Sequence, residues 1–143
     1  MADLLRRAVA EYPVEGLEIE LRYMRVGAKR CMSGTYYRRC PGYENGLLIR
    51  LRINPCNVYP LEAHFKLSQY ERKTKRGQTT VYQQLQKLCF KRAEELILAV
   101  FLHEFSHYLD HLEGRNGKYK QTKADEFALA GLRKMGMGEL FVG

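Results

Sequence analysis

The sequence predicts an α+β domain, and three observations carry that expectation. An amphipathic stretch near the start has helical spacing, several segments between residues 17 and 90 alternate apolar and polar residues, and two helical patterns close the chain. A length of 143 residues suits one domain, residues 1–143, with room for a real core.

The elements follow in order. In "ADLLRRAVAEY", Leu4, Leu5, Ala8, Val9 and Tyr12 share one helical face, and Pro13 stops the helix. "LEIELRYMR" alternates strictly and predicts a half-buried strand with Leu17, Ile19, Leu21 and Tyr23 inward. "SGTYYRRC" reads as a short strand before the turn residues of "PGYENG". "LLIRLRIN" alternates again, with Leu47, Ile49, Leu51 and Ile53 set against Arg50 and Arg52. From Leu61 to Phe90 two readings compete: a hairpin turning at Lys75–Gln78, or a helix through Val81, Leu85 and Leu88. A helix is expected from Ala93 to Glu113, ended by Gly114, and another from Lys123 to Met135, ended by Gly136. For the second, Thr122 is the expected N-cap and Asp125 falls in the first turn.

Composition narrows the setting. The longest apolar run, Leu96–Leu102, is too short to span a bilayer. The N-terminus has arginines inside an amphipathic pattern and does not read as a secretory signal, so the expected address is cytoplasmic and no membrane partner is expected. Cys31, Cys40, Cys56 and Cys89 contain no C-x-x-C pair, which argues against a zinc ribbon. Reduced, mostly buried thiols are expected.

The chemistry concentrates in "VFLHEFSHYLDHLEG". His103 and His107, four residues apart, lie on one side of a helix about one turn apart, so two imidazoles can converge on one ion. Glu104 is rotated by about 100° and can reach a water on that ion without being a ligand. At this chain's composition the pattern H-E-x-x-H arises in only ~1% of shuffled sequences, which favours a metal site over ordinary helix-surface histidines. His111 lies about 12 Å along the axis from His103 and cannot share its ion on a straight helix. It is expected as a charge partner of the helix C-terminus or as a group on the substrate side. His64 is isolated on a basic segment and is expected to be structural or exposed.

These residues resemble a zincin metallopeptidase. The long-motif metzincin branch would need Gly at 110 and His at 113, where this chain has Asp110 and Glu113. A gluzincin-like group that includes HtpX-type peptidases and ImmA/IrrE-type proteins is more similar. In that group the third ligand comes from a following helix, in a pattern like E-x-x-A-D/N-x-F-A. "QTKADEFALAGL" is similar from Ala124 onward, through Asp125, Phe127 and Ala128, while Gln121 stands where the ligand glutamate would be. The resemblance covers about 40 residues and implies a small zincin-like domain that binds Zn²⁺ and hydrolyses peptide bonds. In it His103 and His107 are ligands and Glu104 is general base and then proton donor. A protonated His111 or Tyr119 is a separate candidate to support the oxyanion. The resemblance also gives "LLIRLRI" the placement of an edge strand that binds extended peptide, where the plain alternative is an ordinary sheet strand.

The third ligand can be narrowed from the helix that follows. Ala124, Phe127, Ala128, Leu132 and Met135 define its apolar face; Asp125 flanks that face and Glu126 points nearly opposite. Asp125 is therefore expected either to bind the metal or to hold a ligand histidine through its second nitrogen, with water or Gln121 filling the open position.

Charge suggests a second class of function. The formal net charge is +8, and residues 61–92 carry 8 Lys/Arg against 2 Asp/Glu, whereas residues 93–143 carry 6 against 8. Basic clusters at "KTKR" and "YYRR", interleaved with Tyr36, Tyr37 and Tyr70, would suit a metal-stabilised module that binds nucleic acid or protein without catalysis. A solvated basic surface is the plain alternative. Peptide or protein substrate and nucleic acid are thus the partners to test, and the sequence leaves the oligomeric state open.

Overall fold

A computed structural model describes residues 1–115 and 120–143. It is a small α+β domain. Among the described residues there are three α-helices and two three-stranded sheets. Helix α1 (Ala2–Ala8) precedes strands β1 (Leu17–Tyr23), β2 (Met32–Tyr37) and β3 (Leu47–Ile53), which form the first sheet in the order β1-β3-β2. β1 runs parallel to β3 and β2 antiparallel to it. A long hairpin, β4 (Leu61–Lys75) and β5 (Gln78–Phe90), forms the second sheet with the short β6 (Phe141–Val142). Helices α2 (Ala93–Leu112) and α3 (Gln121–Lys134) complete the domain.

The central element is α2. Leu96, Leu98, Phe101, Leu102, Phe105 and Tyr108 are almost wholly buried, because the helix packs on β2 and β3 on one side and on α3 on another. Its start is held by Glu95, whose Oε1 accepts the backbone N–H groups of Lys91 and Arg92 at 2.7 and 3.2 Å. It stops at Gly114, which takes the left-handed conformation (φ 71°) that a side chain would resist. None of the described helices is long and apolar enough to cross a membrane.

The hairpin reading of residues 61–90 holds and the helical one falls. Arg76 and Gly77 both have positive φ, 53° and 76°, the conformation of a two-residue turn that suits strand twist. Thr79, Thr80, Val81 and Tyr82 are then strand formers on the return limb.

Four expectations need correction. α1 ends at Ala8 rather than near Tyr12. In β1, Ile19, Leu21 and Tyr23 are 42, 44 and 77% exposed, since β1 is a sheet edge and α2 covers β2 and β3 instead. α3 starts at Gln121, two residues early. Thr122 is therefore no cap: its hydroxyl accepts Gln83 Nε2–H at 2.9 Å, and Asp125 lies beyond the first turn. The four cysteines are free, but none is fully buried and Cys56 is exposed.

Candidate metal centre

The motif residues sit in the second half of α2, where the helix runs between β2 and α3. The Nε2 atoms of His103 and His107 are 3.3 Å apart. Two nitrogens bound to one tetrahedral zinc, each at about 2.0–2.1 Å, are separated by about 3.3–3.4 Å, so the two imidazoles already stand at the right spacing.

The following helix supplies the partners of His103. Asp125 Oδ1 lies 2.6 Å from His103 Nδ1, and its Oδ2 accepts the Lys66 backbone N–H at 2.8 Å. The carboxylate is thus fixed between β4 and α2 and addresses the ring nitrogen that faces away from His107. Gln121 Oε1 lies 2.6 Å from His103 Nε2. With an oxygen acceptor on each nitrogen, the ring is suited to carry both protons. Burial opposes that charge, but the Asp125 hydrogen bond and the nearby Glu104 charge outweigh it and raise the His103 pKa.

These contacts test the fit of a zinc ion. The two imidazoles fit. Gln121 would have to draw back by roughly 0.7 Å to share an ion with His103 at tetrahedral spacing, and it is exposed at the first residue of α3. Glu126 turns elsewhere and accepts the Ser68 hydroxyl at 3.0 Å. Among the described residues no group of three or more His, Cys, Asp and Glu side chains is arranged to hold a metal. Among the described residues, two imidazoles and one neutral amide oxygen are the atoms that stand together here.

Glu104 is 8% exposed, and its burial raises the carboxyl pKa, while the neighbouring His103 and the backbone N–H of Tyr36 pull it down. Sequence reasoning missed what makes space for it. Gly34 of β2 faces α2 so closely that a Cβ there would lie 2.7 Å from Val100 Cγ1 and 2.9 Å from Glu104 Cγ. Gly34→Ala should therefore cost about 1–3 kcal/mol of stability by overpacking and push Glu104 from its place. A thermal melt checks the first effect. An unshifted melting temperature would mean that the strand and helix separate without strain. Only the tight strand–helix crossing identifies this glycine, and no local pattern announces it.

Tyr36 is the other residue the sequence misassigned. Its ring packs edge-on against Tyr108 and its hydroxyl is hydrogen-bonded to His111 Nδ1 at 2.6 Å, so it is no free platform for a base. Burial, with Tyr108 beside it, pushes the Tyr36 pKa up to about 12. His111 is driven the other way by burial and by Arg38 and Arg39, which favours the neutral ring. Tyr119 lies outside the described residues, and His64 is exposed on β4.

Asp110, one turn past Ser106, is 1% exposed and joins the end of α2 to α3. Its Oδ1 accepts Lys123 Nζ at 2.7 Å and Arg115 Nε at 3.1 Å. Burial works against the carboxylate, yet these two cations outweigh it and lower its pKa. That anchor ties the first turn of α3, two residues from Gln121, to the end of α2.

The expected edge strand is also corrected. β3 is hydrogen-bonded on both sides, to β1 and β2, so it has no free edge for a peptide. β2 is the edge strand that lies against α2 beside Glu104. Of the two basic clusters, Lys73, Lys75 and Arg76 sit at the exposed hairpin end in the second sheet, while Arg38 and Arg39 follow β2 in the first. They do not belong to one sheet.

No protein-family model, curated protein or solved structure matches the chain.

Proposed function

We propose that this chain is a zincin-like metallopeptidase that hydrolyses peptide bonds with Zn²⁺ held by His103 and His107. The observation that carries the reading is the 3.3 Å separation of the two Nε2 atoms with Asp125 on the second nitrogen of His103. Zn²⁺ at that position would acidify a water and polarise the scissile carbonyl. Glu104 takes the proton from the attacking water and hands it to the leaving amine. Asp125 keeps the His103 ring turned so that Nε2 faces the ion. Gln121 occupies the third donor position with an amide oxygen, a weaker ligand than the carboxylate of the gluzincin-like pattern. The substrate is an extended peptide laid along the open edge of β2. A cytoplasmic setting agrees with four free thiols.

The competing reading, a purely structural ion in a binding module, calls for a site closed by four protein donors. Among the described residues only two imidazoles and one amide oxygen converge.

The test begins with metal content. The purified chain should hold about one zinc per monomer, and His103→Ala and His107→Ala should each lose it. Wild type should cleave a peptide library in a chelator-sensitive way. Full metal content in both histidine variants would sink the site, and metal without any chelator-sensitive cleavage would favour the binding module.

A further inference from the structure

We propose a second site, for the phosphate backbone of nucleic acid, on the outer face of the first sheet. A shallow depression of about 640 Å³ is lined by Arg22, Arg25, Lys29, Arg30, Ser33 and Arg52, with no carboxylate among its lining residues. The register puts Arg22 beside Arg52 and Arg52 beside Ser33, so two arginines and a hydroxyl stand side by side across β1, β3 and β2. Arg22 is paired with Glu20. Arg25, Lys29, Arg30 and Arg52 have no ion pair among the described residues.

Like charges left to themselves would spread into solvent, and here the backbone that carries them is tied down. Asn54 Nδ2 donates to the carbonyls of Ala28 and Arg30, both at 3.0 Å, and the Asn54 N–H donates to Cys31 at 3.0 Å. Asn57 Nδ2 donates to the same Cys31 carbonyl at 2.9 Å. Several hydrogen bonds therefore hold a loop whose charges repel one another. A line of phosphates relieves that repulsion and releases counterions.

Strand alternation sends the Tyr23 side chain to the face opposite Arg22 and Arg52, so recognition on this surface rests on charge complementarity with phosphates. Neither "KTKR" nor "YYRR" contributes to this surface. The inference is independent of whether the chain cuts peptides.

Fluorescence anisotropy with a labelled oligothymidylate tests it. Four phosphate contacts at about 0.7 each predict a slope near −3 for log affinity against log salt, or roughly a fifty-fold loss over a four-fold rise in salt. The triple variant Arg25→Gln/Arg30→Gln/Arg52→Gln should reduce that slope to about −1. It should melt no lower than wild type, since repulsion is removed and no described ion pair is lost. Asn54→Ala should weaken binding by freeing the loop. Wild-type affinity in the triple variant would overturn the site. Binding to phosphatidylserine vesicles in place of the oligonucleotide would overturn nucleic acid altogether.

Discussion

Glu104→Gln should leave zinc content at the wild-type level and lower peptide hydrolysis by at least about 10²–10⁴-fold, the usual contribution of a positioned general base. The substitution preserves shape, which matters because the side chain lies under Gly34 with no room for a larger group. An amide oxygen can still accept the Tyr36 backbone N–H that Glu104 accepts. What it cannot do is take up a proton. Burial already penalises the Glu104 charge, so the neutral variant should melt at the same temperature as wild type or higher. Lost turnover combined with an unchanged or raised melting temperature is the signature of a group kept for chemistry at some cost in stability. Equal cleavage rates for variant and wild type would remove Glu104 from the reaction.

What the sequence made legible is what local pattern encodes. The spacing of apolar residues and Gly114 located α2 to within a residue of its end, and strict alternation located β1 and β3. Asn54, by contrast, looks like an ordinary polar residue after a strand. Its role depends on two carbonyls 24 and 26 residues away. Strand order has the same character. "LLIRLRI" alternates like an edge strand with one wet face, yet it lies at the centre, because alternation reports which face is buried and says nothing about which neighbours are bonded. β1 shows the converse, an alternating strand whose apolar face stays largely open because α2 covers its neighbours. Gly34 and Tyr36 acquire their meaning only from the helix laid across them. Long-range placement decides all five.

In a competitive chelator titration, Asp125→Ala should bind zinc at least about ten-fold more weakly than wild type, the typical loss for a group that orients a ligand histidine. Glu126→Ala should match wild type, and Gln121→Glu should bind more tightly. The ranking follows from three positions on one helix. Asp125 reaches His103 Nδ1 at 2.6 Å and is itself held by the Lys66 N–H, so its loss frees the ring to turn and to carry its proton on the wrong nitrogen. Glu126 is rotated about 100° further and is engaged with Ser68 on an exposed face. Gln121 already places an oxygen beside His103 Nε2, and exchanging its amide for a carboxylate adds the charge that zinc favours. Asp125 also ties α3 to β4, so Asp125→Ala could act by loosening the fold. Asp125→Asn separates the two effects: its amide oxygen can keep the Lys66 contact while its interaction with the ring is weakened. Weak zinc binding by Asp125→Asn, with a metal-free melting temperature equal to that of wild type, assigns the loss to the histidine. If Glu126→Ala proves the damaging change and Asp125→Ala the silent one, the support of His103 lies on the other side of α3.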